Sequence, residues 1–255
     1  MKKNSVTITS INNYNISATY YEPVSSPSEI IIACHGFGGD KESSAIIELA
    51  DKATVHNIGL ICFDFPGHGE SEVNADKLSI NNCINDIISI ENYIKSTFQD
   101  IPISIFATSF GAYITLLKIF KYQTTYKHII LRAPAIKMDE IFKNSLIREN
   151  MSDFKERDFT QLGFERKMDV PYSFYKDLTV NNILHLYNNN QKILIIQGTE
   201  DDIAPITDTY EFINLDKTNI SLIPIEGADH RMKKEGELEK AIQSSIDYLI
   251  GGKNV

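Results

Sequence analysis

Pro102-Ile-Ser-Ile-Phe-Ala-Thr-Ser109-Phe-Gly-Ala-Tyr-Ile-Thr-Leu-Leu117 joins an apolar strand to an apolar helix with no loop between them. Ile103 to Thr108 are short, mostly apolar and rich in β-branched side chains, which reads as a buried strand. From Ala112 onward the apolar residues recur at helical spacing. Ser109 therefore has to occupy a very tight strand-to-helix turn, with small neighbours at Ala107 and Gly111. Such a nucleophile elbow lifts a serine hydroxyl above the end of its strand. It also leaves backbone N–H groups free at a helix start, where they face developing negative charge. The common spelling is Gly-x-Ser-x-Gly, and Ala107 keeps the first position small. Taken alone, the stretch reads equally well as a serine capping a helix, so the rest of the chain has to decide.

On either side the chain alternates between strands and helices. Residues 5–10 and 15–22 alternate polar and apolar side chains around an Asn-rich turn, which predicts a hairpin. Continuous apolar runs at 29–34, 59–65, 128–133, 192–197 and 219–225 predict strands buried on both faces. Helical patterns fall at 42–56, 79–97, 172–188, 206–214 and 233–250. Eight strands alternating with helices predict a mostly parallel sheet covered on both sides, with the hairpin as an antiparallel edge. From 136 to 171 the period is lost, yet Met138, Ile141, Phe142, Leu146, Ile147, Met151, Phe154, Phe159, Leu162 and Phe164 are too many large apolar side chains for a solvated loop. This segment reads as a cap of short helices inserted after the sixth strand. The alternative is a peripheral helical hairpin that only packs on the core. The expected division is a core of 1–135 and 172–255 with a cap of 136–171.

Composition narrows the function. A formal charge of −9 over 255 residues argues against nucleic-acid or anionic-membrane partners. The apolar runs are strand-length, too short to span a bilayer. No apolar h-region follows Lys2 and Lys3, so no secretory signal is read. The three cysteines, Cys34, Cys62 and Cys83, are an odd number on predicted strands and a helix, which favours a reducing, cytoplasmic setting. No CxxC, HExxH or comparable metal-ligand spacing occurs.

In a sheet of this kind function gathers beyond the carboxyl ends of the strands, and four predicted strands deliver chemistry there. They end in His35-Gly36-Phe37-Gly38, in Ser109, in Gly198-Thr-Glu-Asp201 with Pro205 following, and in Gly227-Ala-Asp-His230. A serine hydroxyl needs an imidazole to take its proton. The imidazole needs a carboxylate to hold its other nitrogen. The oxyanion needs preorganised donors. Ser109, His230 and Asp201 fill the first three roles, and the backbone N–H groups of Phe37 and Phe110 are the candidate donors. Glu200 and Asp202 compete with Asp201 on residue type. Asp229 is read as ordering the histidine loop. His35, Asp64, His68 and Ser71 are read as structural, and Cys34 as a buried small residue.

These motifs resemble those of the α/β-hydrolase-fold serine hydrolases over nearly the whole chain. Cys34-His-Gly-Phe-Gly38 is similar to that family's oxyanion loop, and Asp64-Phe-Pro-Gly-His-Gly-Glu-Ser71 to its D-x-x-G-x-G-x-S turn. Gly-Thr-Glu-Asp201 with Pro205 is similar to its acid motif, and Gly-Ala-Asp-His230 to its histidine motif. Within the fold the chain most resembles small bacterial esterases related to cinnamoyl and feruloyl esterases, and monoglyceride-lipase or S33-peptidase relatives. The elbow departs from the common Gly-His-Ser-x-Gly at Ala107 and Thr108. The resemblance implies an eight-stranded sheet, no cofactor and hydrolysis through an acyl-enzyme. The expectation is hydrolysis of a small-molecule carboxylic ester, with an aryl or short-to-medium acyl group held by Phe142, Leu146, Phe154, Phe159 and Phe164. A thioesterase or an S33-type aminopeptidase would use the same triad. The latter would need an inward acidic residue such as Asp139, Glu140, Glu149 or Glu165. A non-catalytic ligand-binding relative is the alternative of another class. Oligomeric state is not legible.

Overall fold

The computed structural model describes residues 1–147, 151–163 and 166–251. Its strands are β1 (Lys2–Thr9), β2 (Asn15–Glu22), β3 (Glu29–Cys34), β4 (Ile58–Phe63), β5 (Ile103–Thr108), β6 (Ile129–Arg132), β7 (Phe159–Leu162), β8 (Met168–Pro171), β9 (Ile193–Gly198) and β10 (Ile220–Ile225). Eight of them form one sheet in the order β1-β2-β4-β3-β5-β6-β9-β10. Only β2 runs against its neighbours, and every other pairing is parallel.

Side-chain alternation explains why both faces of this sheet are covered. Along β3, Ile30, Ile32 and Cys34 point into one core, while Ile31 and Ala33 point into the other. The first core receives helices α2 (Ile80–Thr97) and α3 (Phe110–Tyr122). The second receives α1 (Ser44–Val55) and the last helix, α9 (Glu237–Leu249). Between α3 and α9 in the chain come α4 (Met138–Ile141), α5 (Met151–Arg157), α6 (Tyr172–Val180), α7 (Ile183–Leu186) and α8 (Ile206–Ile213). Among the described residues no helix is long and apolar enough to cross a membrane. All three cysteines are free and buried.

Several boundaries differ from the sequence reading, each for a local reason. β1 begins at Lys2 rather than residue 5, because an edge strand with its polar side outward looks like a flank. β4 ends at Phe63. The next residue, Asp64, is buried in the turn, where it accepts Lys41 N–H at 2.7 Å, Lys41 Nζ at 2.8 Å and Glu70 N–H at 2.9 Å. The helix expected at 172–188 breaks at Asn181–Asn182. Asn182 accepts the N–H groups of Leu184 and His185 and so starts α7 afresh. The last helix begins at Glu237 rather than 233, after Gly236 at φ 79°.

The segment after β6 holds short helices as expected: α4, a π-helical turn at Phe142–Leu146, and α5. It also holds an antiparallel hairpin of β7 and β8 that the sequence reading did not anticipate. Arg166, in the hairpin loop, ties it to the turn after β4. Its Nη1 donates to the carbonyls of His68, Gly69 and Ser71 at 3.3, 3.0 and 2.9 Å. Its Nη2 donates to Val73 O at 3.4 Å and Asn74 Oδ1 at 3.2 Å.

Candidate active site

The turn between β5 and α3 holds Ser109 at φ 51° and ψ −112°, a left-handed conformation that non-glycine residues seldom adopt. The neighbouring backbone maintains it. Ser109 N–H donates to Arg132 O at 3.0 Å, and Ser109 O accepts from Tyr113 N–H at 3.1 Å and Ala135 N–H at 3.3 Å. Gly111 admits the end of β3, since a Cβ there would lie 2.6 Å from His35 O and 2.8 Å from Cys34 O.

The hydroxyl meets His230 Nε2 at 3.1 Å. On the far side of the ring, Nδ1 lies 2.9 Å from both carboxylate oxygens of Asp201. Asp201 is buried and further held by Ile203 N–H at 3.1 Å, Ala204 N–H at 2.8 Å and Gln197 Nε2 at 3.3 Å. Gln197 is fixed in turn by Thr209, whose hydroxyl donates to Oε1 at 2.5 Å. The histidine and acid loops are stitched together: Glu200 N–H donates to Ala228 O at 3.0 Å, and Gly227 N–H to Thr199 Oγ1 at 2.8 Å. A Cβ at Gly198 would fall 2.1 Å from Ala228 O, so only glycine permits this approach. Glu200 and Asp202 are exposed, while Asp229 accepts the N–H groups of Arg231 and Lys233 within its own loop.

The glycine-rich loop after β3 is oriented by a buried histidine. Phe65 N–H donates to His35 Nε2 at 3.1 Å, so that nitrogen is unprotonated and Nδ1 carries the proton. Nδ1 then donates to Gly36 O at 2.8 Å. In a trans peptide the carbonyl of one residue and the N–H of the next point in opposite directions. The bond that draws Gly36 O toward His35 therefore turns Phe37 N–H away from it. Phe37 N–H has no acceptor among the described residues. Phe110 opens α3, so its N–H lacks an intrahelical partner. Burial lowers the His35 pKa, and burial with His35 and Arg166 nearby takes His68 down to about 3, which keeps both rings neutral behind this loop.

Two cavities meet at Phe37. A cleft of about 320 Å³ contains Ser109 and His230 and is walled by Asp40, Ser43, Ser44, Thr108, Arg132 and Arg231. A second, of about 670 Å³, is lined by Leu146, Phe159 and Leu162 together with Thr160, Arg157 and Lys167. The expected pocket aromatics thus divide. Leu146 and Phe159 line a cavity. Phe142 and Phe154 are fully buried, packed mostly edge-to-face in an aromatic cluster with Phe37, Phe110, Phe174 and Tyr175. Their size and position between polar residues do not reveal from sequence that they pack on one another. Phe164, Glu149 and Glu165 lie outside the described residues. Among the described residues no group of three or more His, Cys, Asp or Glu side chains has metal-binding geometry.

Gln197 and Arg132 were missed in the sequence. Each is a polar residue at or near the carboxyl end of an otherwise apolar strand, KILIIQ and HIILRA, and that is the signal that was available. Arg132 is 6% exposed and donates from Nη2 to the carbonyls of His230 at 3.3 Å and Arg231 at 2.9 Å.

With this geometry in view, residues 25–182 match the family described as Serine aminopeptidase, S33. A monoglyceride lipase homolog of monkeypox virus is 25% identical over 269 residues, covering 94% of this chain and 95% of that protein. Protein phosphatase methylesterase 1 of Candida albicans is 29% identical over 114 residues, 45% of this chain and 30% of that protein. Among solved structures, Est1E of Butyrivibrio proteoclasticus with bound ferulic acid superposes with a TM-score of 0.83 at 18% identity, covering 96% of this chain and 98% of that one.

Proposed function

Since the chain belongs to the S33 serine aminopeptidase family of α/β-hydrolase-fold serine hydrolases, we propose that it cleaves carboxylic esters through an acyl-enzyme on Ser109. One observation carries this reading: Ser109, His230 and Asp201 form an unbroken hydrogen-bond series that uses both ring nitrogens of the histidine. Ser109 Oγ attacks the ester carbonyl while His230 Nε2 takes its proton. Asp201 keeps the proton of the neutral ring on Nδ1 and stabilises the imidazolium that forms. Phe37 and Phe110 N–H groups receive the oxyanion. The imidazolium then protonates the departing alcohol. Water, deprotonated by His230, attacks the acyl-enzyme and releases the acid.

The segment 136–171 acts as the cap in this reading. Its Leu146, Phe159 and Leu162, with Phe37, offer an apolar wall to an aryl or short-to-medium acyl group. The ferulic acid bound by the solved relative Est1E fits the aryl option. Three free, buried cysteines agree with a cytoplasmic setting. A thioester would use the same groups. For the aminopeptidase reading, Asp139 and Glu140 line neither cavity at Phe37.

The test is labelling with a fluorophosphonate and mapping of the adduct by mass spectrometry, beside a His230→Ala control, followed by matched ester, thioester and amide substrates. The expected result is a single adduct on Ser109 that is lost in the control, with ester turnover fastest. An adduct elsewhere, or none on folded protein, would overturn the mechanism.

A further inference from the structure

Among the described residues, no group neutralises the charge of Arg132 at contact distance. Its side chain is buried at the end of β6, and among the described residues no carboxylate lies within 4 Å of it. Its Nε is buried with no acceptor, and its two hydrogen bonds go to backbone carbonyls. Asp201 and Asp229 act on it only at longer range, and burial lowers its pKa to about 10, which leaves it charged at neutral pH. Burying an unpaired cation is costly, and this one stands in the wall of the cleft that holds the nucleophile.

A second part of the lining has the same sign. Ser43, Ser44 and Ala45 line the cleft and form the N-terminus of α1, a helix of 12 residues. The Ser43 side chain makes no capping bond there. The first N–H groups of a helix carry partial positive charge and favour an anion. Arg231 lies on the rim of the cleft. The opposing group is Asp40, one of whose oxygens accepts Glu42 N–H at 2.7 Å.

The cleft also has a defined place in the reaction. His230 must reach the oxygen that leaves, so the alcohol portion of an ester lies on the His230 side of Ser109. His230 and Arg231 line this cleft and not the larger cavity beyond Phe37. We propose that the cleft between Arg132 and the start of α1 is an anion subsite, and that it selects esters whose alcohol portion carries a carboxylate or a phosphate. This rests on the ester-hydrolase reading and adds the charge of the substrate to it. Arg132 is the specificity residue.

The experiment compares four butyrate esters of meta-substituted phenols that carry a carboxylate, a phosphonate, a neutral carboxamide or an aminomethyl group. The wild-type protein is expected to favour an anionic ester over the carboxamide by at least tenfold in kcat/KM. Arg132→Met should collapse that ratio toward one, whatever it does to the absolute rate. The carboxylate and phosphonate arms tell which anion fits better. A ratio near one in the wild type, a ratio that survives Arg132→Met, or a preference for the ammonium ester, which would assign the cleft to Asp40, each overturns the subsite. If no ester turns over, the hydrolase reading fails separately. Calorimetric titration of 3-hydroxybenzoate into Ser109→Ala then reads the subsite alone. Binding at least tenfold weaker on adding Arg132→Met supports it, and equal or undetectable binding overturns it.

Discussion

Strand β5 carries two serines near its two ends, and each meets a histidine and a carboxylate. Beyond its carboxyl end, Ser109, His230 and Asp201 stand in series, each touching the next through a different atom. Near its amino end, Ser104, His128 and Glu29 all converge on one point. Ser104 Oγ donates directly to Glu29 Oε1, and His128 Nδ1 faces both that oxygen at 3.0 Å and Ser104 Oγ at 3.3 Å. Lys127 Nζ pairs with the other carboxylate oxygen. Burial pushes the Glu29 carboxyl up, but the bonds from His128, Lys127 and Ser104 outweigh it and hold the pKa below its ordinary value. The residue types match, yet the lower cluster cannot activate its serine. The Ser104 proton is already committed to the carboxylate, and Ser104 lies fully buried within a regular strand. The contrast teaches that bond order and backbone turn, more than composition, separate a hydroxyl offered to an imidazole from one committed to a carboxylate.

The comparison breaks most sharply at the two serines. Ser109→Ala should lower kcat for an aryl ester by roughly 10⁴–10⁶-fold with little change in thermal midpoint, whereas Ser104→Ala should leave kcat/KM essentially unchanged. Equal losses of activity in a steady-state assay would refute the distinction. The carboxylates come next. Asp201→Asn should cost about 10⁴ in kcat by allowing the wrong imidazole tautomer. Glu29→Gln should retain activity and instead lose about 1–3 kcal/mol of stability in urea unfolding, as charged hydrogen bonds in the buried cluster are weakened.

A third buried carboxylate, away from both serines, sharpens the comparison. Asp86 is fully buried and accepts from Ser10 Oγ at 2.7 Å and from Tyr14 OH at 2.8 Å, and among the described residues no cation pairs with it. Burial raises its pKa from 3.8 to about 7. Between those values the folded protein holds a proton that the unfolded chain has released. The associated stability is complete below about pH 4 and declines as pH rises toward 7. Asp86→Asn should flatten the dependence of unfolding free energy on pH across that window, and a parallel slope in the variant would remove Asp86 as its source.

What was legible in the sequence follows from where each physical requirement lies. Ser109, Gly111 and the strand before them are legible together, because a tight turn demands small neighbours at fixed offsets. The buried strands are legible because a sheet covered on both faces requires unbroken apolar runs such as EIIIAC. Arg132 and Gln197 were not, because the groups they hold, the carbonyls of His230 and Arg231 and the carboxylate of Asp201, are selected by the fold and leave no local pattern. The β7–β8 hairpin escaped because four-residue strands alternate too briefly to separate from helix. The aromatic cluster at Phe37 was visible as composition, and its packing was not.

The clasp made by Arg166 has an evolutionary side. Four of its five acceptors are main-chain carbonyls, from His68, Gly69, Ser71 and Val73. Any amino acid supplies a carbonyl, so lineages can rewrite the side chains of that turn and keep the hairpin fastened, provided the turn keeps its shape. The guanidinium has no such redundancy. One base change at codon 166 would release what many changes across the turn would leave in place, and natural variation in the two partners should be correspondingly lopsided.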